Sequence, residues 1–297
     1  MSKYDSLAII ISFFGLWVSS YLSNKYEIIC GIILILTFGI FHGANDILIS
    51  TRLNNTNNQK SKVKVLLLYV IQVLLALLLF YISPSVGLIL FVLASAFHFG
   101  EQQFRFLVAT IPNNLLVFYQ LIYGLMLFFL LFSFNQDEVV NIVYQISDLN
   151  FSYKIIYYCF YVFLSVFVLL TTYFLFCFTT CKNKLLMQIL YLLILAIIFK
   201  VSSLIWGFAI YFIVWHSIPS IMYQSKFIYG TVSTSNFYAY FKDAFIYWAI
   251  SIVSIAVFYY YLKESKFFIT ILFSFFSAIT YPHAFVIFKM FTHKKTE

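Results

Sequence analysis

Apolar runs of about 20 residues recur along this 297-residue chain, and each is long enough to cross a hydrocarbon core of roughly 30 Å. In lipid no water is available to satisfy backbone N–H and C=O groups. Such runs must therefore be helices, because the alternation that barrel strands require is absent. Composition agrees. Only 9% of the residues are charged and 63% are hydrophobic, whereas soluble domains carry roughly 25% charged residues. The expected fold class is all-α: a polytopic transmembrane bundle forming a single integral membrane domain over residues 1–297.

Ten helices are expected, at about 6–22, 27–50, 64–82, 85–104, 114–134, 152–178, 184–201, 203–224, 240–262 and 267–291. The first run has little basic leader and no small-residue cleavage site, so it reads as a retained helix. With both termini on the cytoplasmic side, thirteen of the 18 Lys and Arg residues also fall there. This is the asymmetry of an inner-membrane, multi-pass protein. Among these thirteen are Lys60, Lys294 and Lys295, and Lys266 is one of the five on the far side. The net charge of +8 is accounted for by this loop bias and does not signal nucleic-acid binding. The acidic connection with Asp137, Glu138 and Asp148 falls on the far side, and the Asn-rich stretch TRLNNTNNQKSKVK reads as a solvated cytoplasmic loop. Cys30, Cys159, Cys177 and Cys181 read as small apolar helix residues rather than a thiol pair.

Four of the five histidines are out of place in such a chain. His42, His98, His216 and His283 lie in the second, fourth, eighth and tenth expected helices, which all run in the same direction. Each falls about 13–16 residues from its helix start, so at 1.5 Å per residue their depths agree to about 5 Å. The fifth, His293, sits in the polar tail THKKTE and reads as solvated. Intramembrane ionisable residues face the bundle interior and mark function. Imidazole is the commonest metal ligand, so one shared metal site is the first reading and a hydrogen-bond or proton relay the second. Four nitrogen ligands suit iron, copper or zinc without separating them. Asp46 follows His42 by one helical turn, where its carboxylate can accept the other ring N–H or tie a neighbouring helix. Glu101 and Gln102 follow His98 by three and four residues, where they support the site or meet lipid headgroups. Gly43 and Gly100 permit close approach of a helix or ligand, and Pro219 and Pro282 favour kinks beside His216 and His283.

The motifs FHGANDI, FHFGEQQ, WHSIPS and PHAFVIFKM, in this order, resemble the bacteriorhodopsin-related protein family, Brp/Blh, from the second helix to the tenth. These are membrane-embedded β-carotene 15,15′-dioxygenases. The resemblance implies a non-haem Fe(II) site held by histidines and cleavage of the central double bond of β-carotene by O₂ into two retinal molecules. The retinal would then be available to a rhodopsin, and the bilayer would deliver the carotenoid. His42, His98 and His216 match the family's metal-ligand positions, and His283 matches its late P-H element. One position departs from the pattern: family members often carry a histidine four residues after the one in W-H, where this chain has Ser220. Two other functions fit the same features: a non-catalytic carotenoid- or retinal-handling membrane protein, and a transporter with the histidines as a proton relay. A membrane desaturase does not fit, since its H-x-x-H clusters are missing.

Overall fold

The computed structural model describes residues 3–54, 59–265 and 267–293. Lys266, Lys294, Lys295 and part of the Asn-rich loop lie outside the described residues, as does the side chain of Lys60. The described residues form thirteen α-helices and no strand. They are α1 (Lys3–Ser19), α2 (Asn24–Leu34), α3 (Asp46–Leu53), α4 (Gln59–Ile82), α5 (Pro84–Gln103), α6 (Asn113–Phe134), α7 (Gln136–Ser147), α8 (Lys154–Cys177), α9 (Lys182–Val201), α10 (Leu204–Ile210), α11 (Ile218–Tyr229), α12 (Thr234–Leu262) and α13 (Phe268–His293).

Among the described residues, eight segments are long and apolar enough to cross a membrane. They correspond to eight of the ten expected spans, with Leu204–Tyr229 counted as one segment. The first expected span, 6–22, is found as the 17-residue helix α1. The second comes out differently. The expected helix 27–50 is broken: α2 passes into a π-helical segment, Ile35–Gly39, and a run of turns over 42–45 precedes α3. The acidic connection after α6 folds as α7, whose 12 residues are too few to span a bilayer.

The chain divides into two compact units. The first comprises Met1–Ile35, Ser95–Val143 and Asn150–His216; the second comprises Leu36–Ala94, Tyr144–Leu149 and Ser217–Glu297. In the first unit α6 is the central helix, packed by α8, α9 and α10, with α2 against α10 and α1 against α9. Two thirds of its spanning window is buried, which explains why it is apolar all round. Tyr119, Tyr123, Phe104, Phe167 and Phe174 interlock around it. The end of α5 crosses α6 almost backbone to backbone. A Cβ added at Gly100 would lie 1.9 Å from the Gln120 carbonyl oxygen, and one added at Gly124 would lie 1.9 Å from that of Ala96. Only glycine fits at either point.

In the second unit α13 packs on α4 and α3, and α11 packs on α3 and α12. Its core joins Phe41, Ala44 and Ile49 to Ile221, Ile228, Tyr240, Val286, Ile287 and Met290. The spanning windows of α4, α8 and α12 are only 11%, 17% and 0% buried. Their exposed Leu, Ile, Val, Phe and Tyr side chains form the kind of surface that lipid covers and water would not.

Candidate functional site

The four membrane-depth histidines are all buried, and they form two pairs, one in each unit. In the second unit the rings of His42 and His283 have centroids 4.6 Å apart at 88°. In the first unit the rings of His98 and His216 have centroids 4.7 Å apart at 78°. His42 comes from the turns before α3, His283 from α13 one residue past Pro282, His98 from α5, and His216 from a π-helical segment, Tyr211–Ser217.

Local sequence explains why His42 and His216 sit in irregular backbone. Gly43, Asn45 and Asp46 follow His42, and Asn and Asp compete with helical hydrogen bonding. The N–H of Asp46 accordingly goes to Gly43 at 3.2 Å rather than to the His42 carbonyl four residues back. Two buried side chains fill that acceptor: the Gln224 amide donates to it at 2.8 Å, and the Tyr240 hydroxyl lies 3.2 Å away. In the π segment, Pro219 has no N–H to give to Val214 five residues earlier, and the Tyr4 hydroxyl donates to that carbonyl instead. Trp215 Nε1 donates to Ser12 Oγ at 2.9 Å, so α1 also anchors the residue before His216. The Gln102 amide donates to the His216 carbonyl at 2.9 Å. Phe99 and Phe212 flank the His216 ring at 4.5 and 5.7 Å between centroids.

Asp46 is almost fully buried. Its Oδ1 lies 2.8 Å from Nδ1 of His283, and its Oδ2 accepts the Tyr69 hydroxyl at 2.9 Å. Of the two roles expected of Asp46, the second is the one found: it ties neighbouring helices rather than serving His42. The turns over 42–45 remove the shared helix face, and the carboxylate reaches a histidine on α13. Carboxylate–imidazole pairing through Nδ1 is the arrangement that orients metal-ligating histidines and leaves Nε2 for the metal. Glu101 and Gln102 are buried, 7% and 5% exposed, which excludes the headgroup reading for both. Ser220, at the position where the resembled family often has histidine, is buried and its Oγ accepts from Gln224 at 3.0 Å. Gly43 is less constrained than Gly100: a Cβ there would meet His283 Nδ1 at 3.4 Å, an ordinary contact.

Gln224, Tyr69 and Tyr240 were not picked out as site residues from sequence, whereas Gln102 was named beside His98. Gln102 and Gln224 carry a readable signal, since an uncharged amide deep in an apolar run needs a partner. The two tyrosines carry none, being two of 24. The buried His42–His283 pair, with one ring already fixed by a carboxylate, offers imidazole donors of the kind that a divalent transition metal such as ferrous iron takes.

No curated protein and no solved structure matches the chain. The model of one protein family, Beta-carotene 15,15'-dioxygenase, matches residues 33–291, a stretch that takes in all four buried histidines, Asp46 and Gln224. The chain belongs to the β-carotene 15,15′-dioxygenase family and is a multi-pass membrane oxidoreductase of that kind.

Proposed function

We propose that the chain cleaves the central double bond of β-carotene with O₂, giving two retinal molecules, at one non-haem Fe(II) held by His42, His98, His216 and His283. The observation that carries this reading is the Asp46–His283 pair, a buried carboxylate at 2.8 Å on the Nδ1 of a histidine. Family membership supplies the reaction class.

Bound ferrous iron would supply the spin and redox chemistry that lets O₂ react with an alkene. Both oxygen atoms end in product, one on each new aldehyde, so no reductant is needed. The protein's own groups do the rest. Asp46 holds His283 by Nδ1, so that Nε2 faces the site, and Tyr69 holds Asp46. Gln102 and Gln224 fix the backbone of His216 and His42. Phe99 and Phe212 keep water from the His216 ring. The substrate is itself a lipid-phase molecule, and the exposed apolar helices place the protein in the same phase. We assign the chain to the inner membrane with both termini cytoplasmic, and its retinal to a retinal-binding protein such as a rhodopsin.

In cells that accumulate β-carotene, expression of the chain is expected to bleach the yellow pigment and yield retinal. His42→Ala and His98→Ala are each expected to abolish retinal formation with normal protein levels. Bleaching by the His42→Ala variant would sink the assignment of that residue.

A further inference from the structure

The His42 carbonyl has lost its helical donor, because Asp46 N–H bonds Gly43 instead. Where no water reaches, another donor must be built in. Gln224 on α11 provides it, and its amide is saturated. Nε2 donates to the His42 carbonyl at 2.8 Å and to Ser220 Oγ at 3.0 Å, and Oε1 accepts from the Tyr240 hydroxyl at 2.8 Å. The single hydroxyl hydrogen of Tyr240 is shared between Gln224 and the His42 carbonyl, 3.2 Å away. Asn45, in the same turn, donates through Nδ2 to the Tyr240 carbonyl at 3.0 Å. Gln224 and Tyr240 are 0% exposed. A leucine would fill the Gln224 site at no polar cost, so the amide is explained by the carbonyl it serves.

Fixing a carbonyl fixes ψ of its residue, and with it the direction in which the side chain leaves the backbone. We propose that Gln224 is a positioning residue: it holds the broken backbone at His42 and so aims the imidazole at the iron. This rests on the iron reading given above. Tyr240 plays the lesser part, since Gln224 still donates when its hydroxyl is gone.

The experiment is anaerobic titration of chelator-treated, detergent-purified protein with Fe(II), alongside the Tm of the metal-free protein and the steady-state constants for β-carotene. Gln224→Met is expected to weaken Fe(II) binding by about 10–100-fold, as loss of a partner behind a metal ligand typically does. Tyr240→Phe is expected to weaken it less than about 10-fold. In both variants kcat falls and KM for β-carotene stays put. Should Gln224→Met fail to fold, Gln224→Glu keeps the shape and the acceptor for Tyr240 while losing both N–H groups, and it is read the same way. A lowered metal-free Tm with unchanged Fe(II) affinity would mean a structural role only and overturn the proposal. Wild-type protein that binds iron beside variants that bind it equally well overturns the Gln224 role alone. Wild-type protein that binds no iron overturns the iron reading and this proposal with it.

Discussion

Asp46 shares its two carboxylate oxygens between His283 and Tyr69, and each partner has a separate job. In the proposed site His283 is the group being aimed, and Tyr69 keeps the carboxylate from turning. Asp46→Asn retains the shape but can present an N–H where His283 needs an acceptor, so Fe(II) affinity and turnover are expected to fall about 10–100-fold. Tyr69→Phe leaves one charged oxygen short of a donor, and a loss of about 1–3 kcal/mol in stability is expected in denaturant titration of the metal-free protein. A Tyr69→Phe variant as stable as wild type would remove that tyrosine from the account. The histidines were legible in the sequence because an imidazole in an apolar run stands out and because the expected helices put four of them at a similar depth. The carboxylate was legible too, but its partner was not. Spacing along one helix offered His42 or a tie to a neighbouring helix; the first fails because the helix breaks between them, and the second holds without the sequence naming His283.

At the level of elements, the apolar periodicity located the long helices and missed the irregular ones. A π segment of five or seven residues shifts the helical phase too little to show in hydropathy, so Ile35–Gly39 and Tyr211–Ser217 read as ordinary helix. Pro219 was the legible hint at the second, and Gly43 with Asn45 at the break after the first. The crossing of α5 and α6 was also half visible, through Gly100 but not Gly124. The two kinds of glycine give a paired prediction. Gly100→Ala and Gly124→Ala drive a methyl into a facing carbonyl and are expected to cost about 1–3 kcal/mol or more, read as a lowered Tm in detergent. Gly43→Ala meets only ordinary contacts and is expected to leave Tm nearly unchanged. Equal tolerance of all three would contradict the close crossing.

For the whole molecule, the charge deficit and the repeated runs were enough to specify a helical membrane protein, because lipid permits so few alternatives. The division into two units was not foreseen, since the segments of each are interleaved along the chain. The ten-span reading of the sequence puts thirteen of 18 basic residues on one side and so predicts cytoplasmic termini. A fluorescent protein that matures only in the cytoplasm, fused after Glu297, is expected to glow, while an export-dependent phosphatase at the same place stays inactive; the reverse pattern would invert the topology. One arrangement also bears on how the protein comes into being. The donors that serve the His42 carbonyl lie 182 and 198 positions further on. At translation rates of about 5–20 residues per second, the ribosome reaches them roughly 10–40 s after it has made His42. Until then these two donors are not available to the His42 carbonyl. The irregular turn is therefore a late product of biogenesis, set only when the last third of the polypeptide arrives.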